Sequence, residues 1–448
     1  MLQLDLVQTV AFAGVVLFLG YALKRRVPVL SRYNIPAPVA GGLPVAAVLA
    51  LLYVSGRQPL AFDTALQTPL QNVFFASVGF GASVRLLKRG GPLVVVMMVL
   101  ASVAAVLQNV VGALVAWALG EHPLLGVLAG SVTLTGGPAT GLAFAPLFEN
   151  AGVTGAATLA VSAAMVGIVS GGVLGGPIGT YLLGRHGAPT PREAVPRTDE
   201  HAGSASLGQC PVVRTSRGPE DATRLDELPA VKCSGAAWQP LEQLAEQRLE
   251  EPTTSTPVGD DVEAYALLKH LVVILAAVGV GAWVSQFFAA VGWTLPSYIG
   301  AMIVAAVLRN ADDVLGVIGI SQRTSDDLGT VALSLFLVMA LMTLRLWQLA
   351  GAVVPLLVIL TCQVALVAAL CVLAVPRLLG RDYDSVVMAS GFCGFMLGTT
   401  ANAVANMGAL VERYGPAPKA YLVVPLVGAF GIDFVNALLI TAFINFWR

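Results

Sequence analysis

The stretch GSVTLTGGPATGLAFAPLF, Gly130 to Phe148, decides how this chain is built. It starts apolar, breaks at Gly136-Gly137-Pro138-Ala139-Thr140-Gly141, and becomes apolar again. Proline removes a helix donor and clashes with the preceding turn, and glycine weakens a helix interior. The run from Pro123 to Thr135, about 13 residues, makes a helix of about 20 Å, too short for a hydrocarbon core of about 30 Å. The spacing predicts a segment that enters, turns at the glycines and climbs back from Leu142 to Phe148. A Gly/Pro kink in one tilted helix is the simpler alternative.

The surrounding chain sets the solvent. Of the 448 residues, 56% are apolar and only 11% charged, and the mean hydropathy is +0.80. A soluble chain of this length needs more surface charge than that. The apolar residues fall in blocks of about twenty, the length that spans a bilayer as a helix. The sequence is that of an all-α polytopic membrane protein. Cys210, Cys233, Cys362, Cys371 and Cys393 have no CxxC spacing, which suits small buried hydrophobes. The four histidines form no ligand pair at helical spacing, so neither a metal centre nor an organic cofactor is expected. No nucleic-acid partner is expected either. Lys24-Arg25-Arg26 follows the first apolar run, the mark of a retained first helix rather than a cleaved leader.

The blocks fall into two halves, 1–184 and 263–448, around a polar linker at 185–262 rich in Pro, Glu, Arg, Ser and Thr. The linker has too little apolar content for a core and reads as largely disordered. Trp238 to Glu251 within it has the pattern of an amphipathic surface helix. The halves share landmarks in order. PAPVAGGLPVAAVLALL from Pro36 answers LPSYIGAMIVAAVLRN from Leu295, Arg85 answers Arg345, and the fifth segment of each half breaks at glycine and threonine. This collinearity argues for an internal duplication. Positive charge crowds one side of the spans, at Lys24–Arg32, Lys88-Arg89, Arg185–Arg197, Arg309, Arg323, Arg377, Arg381, Arg413 and Lys419, which the positive-inside bias makes cytoplasmic. The bias holds only if 122–149 and 384–411 each return to the side they entered. Each half then has five crossings plus one re-entrant hairpin. The repeats are inverted, the linker is cytoplasmic and both termini lie outside.

Backbone broken at membrane depth must line protein or a watery cavity. Its free N–H ends favour anions and its loose carbonyls favour cations. In the first break Thr135, Gly136, Gly137, Thr140 and Gly141 are substrate candidates, and Thr133 is a Na⁺ candidate. The second reads GFCGFMLGTTANAVANMGALVERYG from Gly391. There Gly398, Thr399, Thr400 and Asn402 are substrate candidates. Asn402 and Asn406 share a helix face and suit amino-acid or Na⁺ coordination, or else hydrogen bonding between helices. Arg413 closes this arm, either reaching an anionic substrate or setting topology. Asp433, inside the last apolar span, is read as a cation ligand or a binder of a substrate amine, with Asn436 one turn on; a structural pair to a neighbouring helix is the alternative. The matching span of the first half has no acid, and its Ser162 completes the Na⁺ candidates.

TLTGGPATG from Thr133, and the long run from Gly391 through Leu439-Ile440, resemble the two signature regions of the bacterial glutamate:sodium symporter family. The likeness extends along nearly the whole chain outside the linker. It implies Na⁺-driven import of L-glutamate across the inner membrane, with both termini periplasmic. It also implies a homodimer in the lipid, two re-entrant loops meeting near the midplane, and an elevator-type motion of a core against a scaffold. Family members usually carry a histidine after the paired glycines, where this chain has Pro138, so specificity could differ. The rival readings are a Na⁺- or proton-coupled transporter of another amino acid or dicarboxylate, and an intramembrane enzyme. The enzyme reading lacks a nucleophile–base pair at depth.

Overall fold

The computed structural model describes residues 2–56, 60–85, 91–186, 260–291, 295–349 and 351–447. Nearly all of the expected linker, and the amphipathic helix expected at Trp238–Glu251, lie outside these residues. The first half contributes α1 (Leu6–Arg26), the short α2 (Pro28–Arg32), α3 (Ala37–Val54), α4 (Gln67–Gly81) and α5 (Gly91–Ala118). After them come α6 (Pro123–Val127), a π-helical turn at Leu128–Val132, α7 (Gly137–Asn150) and α8 (Ala156–His186). The second half contributes α9 (Asp260–Ala290), α10 (Ser297–Leu315), α11 (Gln322–Met342), α12 (Val353–Leu373), the short α13 (Val375–Leu379), α14 (Tyr383–Leu397) and α15 (Thr400–Tyr414). It ends with α16 (Pro418–Leu426), a second π-helical turn at Val427–Gly431, and α17 (Ile432–Phe446). Two three-residue strands, Leu2–Leu4 and Leu60–Phe62, pair in parallel.

Local chemistry explains several ends. Asp5 and Gln8 form a reciprocal capping box at the start of α1, and Lys24, Arg25 and Arg26 fill its last turn, opposing the helix dipole. Ser321, Asp382 and Thr399 cap α11, α14 and α15 by accepting backbone N–H groups. Beyond α10, Asp312 accepts the N–H of Ile318 (2.7 Å), Gly319 (3.0 Å) and Ile320 (2.7 Å), pinning the turn into α11. Asp312→Ala strips three donors of their acceptor and should lower stability by about 1–3 kcal/mol, read as a lower thermal midpoint of the purified protein.

Seven helices among the described residues are long and apolar enough to cross a bilayer: α1, α3, α5, α8, α9, α11 and α12 with its continuation to Leu379. The charge pattern predicted ten crossings. The difference has physical causes: α4 is only 15 residues long, α10 ends in Arg309-Asn310 and Asp312-Asp313, and the last span is split by the π-turn before Asp433.

The helices sort into two sets by packing. In the first set α1 meets α3, α10 meets α4, and α11 meets α3, α4 and α1. In the second, α8 packs on α14, α15 and α7, and α5 packs on α6 and α12. Glycines set the closest approaches. A Cβ on Gly20 would fall 2.0 Å from the Ala37 carbonyl oxygen, and one on Gly41 2.2 Å from that of Val16, so α1 and α3 touch backbone to backbone. Gly281 and Gly300 do the same for α9 and α10. Gly41 and Gly300 are the glycines matched in the two collinear stretches.

Both predicted breaks are present. In the second, the Tyr383 hydroxyl donates to the Gly415 carbonyl at 2.6 Å, and a Cβ on Gly394 would strike Ala403 at 2.5 Å. The arms α14 and α15 therefore lie side by side from tip to base. In the first, a Cβ on Gly152 would sit 4.0 Å from the His122 ring, so the two ends of that segment also meet. Its break starts earlier than the glycine pair suggested, at Gly130, whose backbone leaves the helical region (φ −99°, ψ −129°).

Candidate functional site

The two breaks converge. A Cβ built on Gly137 would lie 3.7 Å from the Gly398 carbonyl oxygen. Gly137 holds φ at +69°, a conformation that glycine alone adopts cheaply. Between the tips and the first helix set lies a cavity of about 260 Å³. Thr135, Gly136, Gly137, Pro138, Gly398, Thr399 and Thr400 line it from the breaks, and Asp433 from the head of α17. Pro36, Pro38, Phe74, Leu333 and Leu337 make an apolar wall opposite, with Ser334 beside them.

α3 begins at this cavity, after Pro36, but Pro36 and Pro38 carry no N–H; two other helices begin there, α7 at Gly137 and α15 at Thr400. Their unsatisfied N–H groups and dipoles favour negative charge there. Asp433 adds the one acidic group, and no Lys, Arg or His lines the cavity among the described residues. Among those residues no cation pairs with Asp433. The site thus offers two anion-seeking helix ends and one cation-seeking carboxylate, spaced around a volume suited to a small zwitterion or dianion.

The remaining sequence candidates sit elsewhere. Thr140 packs against Gly136, and Gly141 against Ala160 and Thr133, both behind the tip. Asn402 donates to the Ile168 carbonyl at 2.8 Å, and Asn406 to that of Gly171 at 2.9 Å. With Ser390, which donates to Gly175 at 2.9 Å, they fasten the second hairpin to α8. This is the interhelical bonding left open by the sequence. Thr133 donates to Leu128 at 2.8 Å and Ser162 to Thr158 at 2.9 Å, each bonding within its own segment. Arg413 is exposed, with its guanidinium 5.2 Å from the Tyr414 ring centre, and it does not reach the cavity. Asn436 is fully buried and donates to the Ser131 carbonyl at 2.9 Å.

Sequence reading missed a polar knot behind the first tip. Gln108 and Asn109 of α5 lie side by side inside an apolar helix, which was its only signal. The Thr135 hydroxyl donates to Gln108 Oε1 at 2.7 Å, and Gln108 Nε2 donates to the Met396 carbonyl at 3.0 Å, so one side chain ties the two tips together. Gln363 of α12 donates to the Gln108 carbonyl at 2.6 Å. Asn109 Oδ1 accepts the Ser131 N–H at 3.1 Å. Eight buried side-chain polar atoms have no hydrogen-bond partner among the described residues, and four are in this knot: Asn109 Nδ2, Ser131 Oγ, Gln363 Oε1 and Asn436 Oδ1. Leaving such an atom dry costs about 1–3 kcal/mol, so the clustering asks for an explanation.

Helices of spanning length, two interrupted segments meeting tip to tip and a small charged cavity between them mark a multi-pass membrane protein, and the proteins it resembles are named as transporters rather than enzymes. The sodium/glutamate symporter family model matches residues 2–207 and 232–416. The chain is 37% identical over 445 residues to the sodium/glutamate symporter of Escherichia coli K12, covering 99% of this chain and 98% of that protein. It is 36% identical over 434 residues to that of Haemophilus influenzae, covering 97% and 95%. The chain belongs to the sodium/glutamate symporter family. No solved structure matches it.

Proposed function

We infer that this chain is a sodium-coupled symporter that imports L-glutamate, with Na⁺ as its coupling ion and no organic cofactor. The observation that carries the reading is the cavity where the two tips and Asp433 meet. Glutamate brings two carboxylates and one ammonium. The N-terminal ends of α7 and α15 suit the carboxylates, and Asp433 suits the amine. The substrate adds a net negative charge to a site without a fixed cation, so a bound Na⁺ nearby improves the fit electrostatically. Coupling follows from this deficit.

The two halves act as inverted repeats, each with a re-entrant hairpin. The matched glycine crossings, α1 on α3 and α9 on α10, support this, as does the reciprocal packing of α4 on α10 and α11 on α3. The second helix set, which carries both tips, is the moving part of an elevator, and the first is the scaffold; the cavity's place between them supports it. The protein works as a homodimer in the bacterial inner membrane with termini periplasmic and linker cytoplasmic, as the family resemblance and loop charge imply.

Purified protein in proteoliposomes should accumulate labelled L-glutamate under an inward Na⁺ gradient. In choline the accumulation should fall to background. Equal uptake in both media would defeat the assignment. Pro138 in the cavity wall, where the family usually has histidine, favours a second reading in which another amino acid or a dicarboxylate is preferred. Competition by unlabelled aspartate, glutamine and malate against glutamate, repeated under a proton gradient, separates the two.

A further inference from the structure

We propose that the knot around Ser131 is a Na⁺ site, placed behind the first hairpin tip and outside the substrate cavity. This deepens the sodium-coupled reading and rests on it. Ser131 is the hub. Its N–H donates to Asn109 Oδ1, and its carbonyl accepts Asn436 Nδ2 at 2.9 Å together with the N–H groups of Thr135 (3.3 Å) and Gly136 (3.0 Å). Its own hydroxyl has no partner and is completely buried.

The orientation of the amides is fixed by what they donate to. Asn436 Nδ2 is held on the Ser131 carbonyl and Gln363 Nε2 on the Gln108 carbonyl, so each turns its oxygen into the dry interior, where it meets nothing. Such an oxygen can only accept. The Gln108 carbonyl lies 3.0 Å from a Cβ built on Gly130, which brings the Gln363 amide to the same broken turn. Ser131 Oγ, Asn436 Oδ1 and Gln363 Oε1, all at 0% exposure, are neutral oxygens of the kind a hard monovalent cation takes. Asp433, one helical turn before Asn436, supplies the countercharge. The sequence candidates Thr133, Ser162 and Asn406 donate to backbone carbonyls elsewhere and are not part of this site.

The same bonds carry the coupling. An ion on Ser131 fixes the residue whose carbonyl caps Thr135 and Gly136, two residues of the cavity wall. Through Thr135 and Gln108 the constraint reaches Met396, beside the second tip. Na⁺ therefore orders the substrate-binding turns without contacting the substrate.

The test uses purified full-length protein without glutamate, with thermal unfolding followed as NaCl replaces choline chloride at constant ionic strength. Wild type should gain stability and saturate. Ser131→Ala removes an atom that bonds nothing, so in choline it should be at least as stable as wild type, while its half-saturating Na⁺ rises about tenfold. Asn436→Ser should shift the same midpoint. At saturating Na⁺ both variants should recover wild-type glutamate affinity. If both variants titrate like wild type, the knot holds only water and the proposal falls, with the symport reading intact. If wild type shows no Na⁺-specific response and no Na⁺-driven uptake, both fall together.

Discussion

Asp433→Asn should reduce Na⁺-driven glutamate uptake at least about 100-fold while leaving the protein folded and correctly sized in detergent. Asp433 is the one acidic residue on the cavity wall and has no cationic partner among the described residues. Asparagine keeps its shape and one oxygen but cannot neutralise an ammonium group. It also removes the countercharge beside Asn436, so the Na⁺ midpoint should rise together with the glutamate midpoint. The head of α17 is packed through Ile432 and Asn436, neither of which is altered, so loss of folding is not expected. Coupled uptake at the wild-type rate would remove Asp433 from the site. A loss of glutamate binding with Na⁺ stabilisation unchanged would confine its role to the substrate amine.

Gly126→Val should leave almost no folded protein. A Cβ there would lie 1.9 Å from the Gly112 carbonyl oxygen, 2.0 Å from its carbon and 2.6 Å from the Ala113 nitrogen, all backbone atoms. No rotamer relieves such a clash, so α5 and α6 would have to part, taking Gln108 and Asn109 away from the first tip. Overpacking alone costs about 1–3 kcal/mol, and forced separation of two backbones adds to it. Fluorescence-detected size-exclusion should show the monodisperse peak lost. Gly14→Ala is the control: nothing lies within 4 Å of its Cβ position, and alanine is the better helix former. A normal peak for Gly126→Val would mean that α6 is not held against α5 in solution.

Much of this architecture was legible because the bilayer makes breaks expensive. Gly136-Gly137-Pro138 and Gly398-Thr399 announced the two tips because threonines and short flanking helices accompany them; Gly175-Gly176-Pro177, the same tripeptide without that company, stays inside the continuous helix α8. Asp433 was legible for the same reason. What escaped was set by three-dimensional partners. Nothing in the pattern says that Asn402 and Asn406 donate their amides to the carbonyls of α8. Nor does Ser131, a small residue in a small-residue run, show that α5, α17 and the first tip meet at it. The second π-turn was hidden because Val427 to Gly431 has ordinary apolar composition. The apolar wall of Pro36, Pro38 and Phe74 comes from distant segments that only packing brings to the site.

That wall has a thermodynamic consequence. The carboxylate and the two N–H-rich helix ends of the cavity sit on the tips and on α17, which packs chiefly on α5; the opposing face offers hydrocarbon, the proline-blocked start of α3 and the Ser334 hydroxyl. If the tip-bearing set moves as proposed, the groups that grip the cargo travel with it. Glutamate should then have nearly the same intrinsic dissociation constant from either face at equal Na⁺. Such a carrier has no built-in direction, and reversing the sodium gradient should drive export as readily as import.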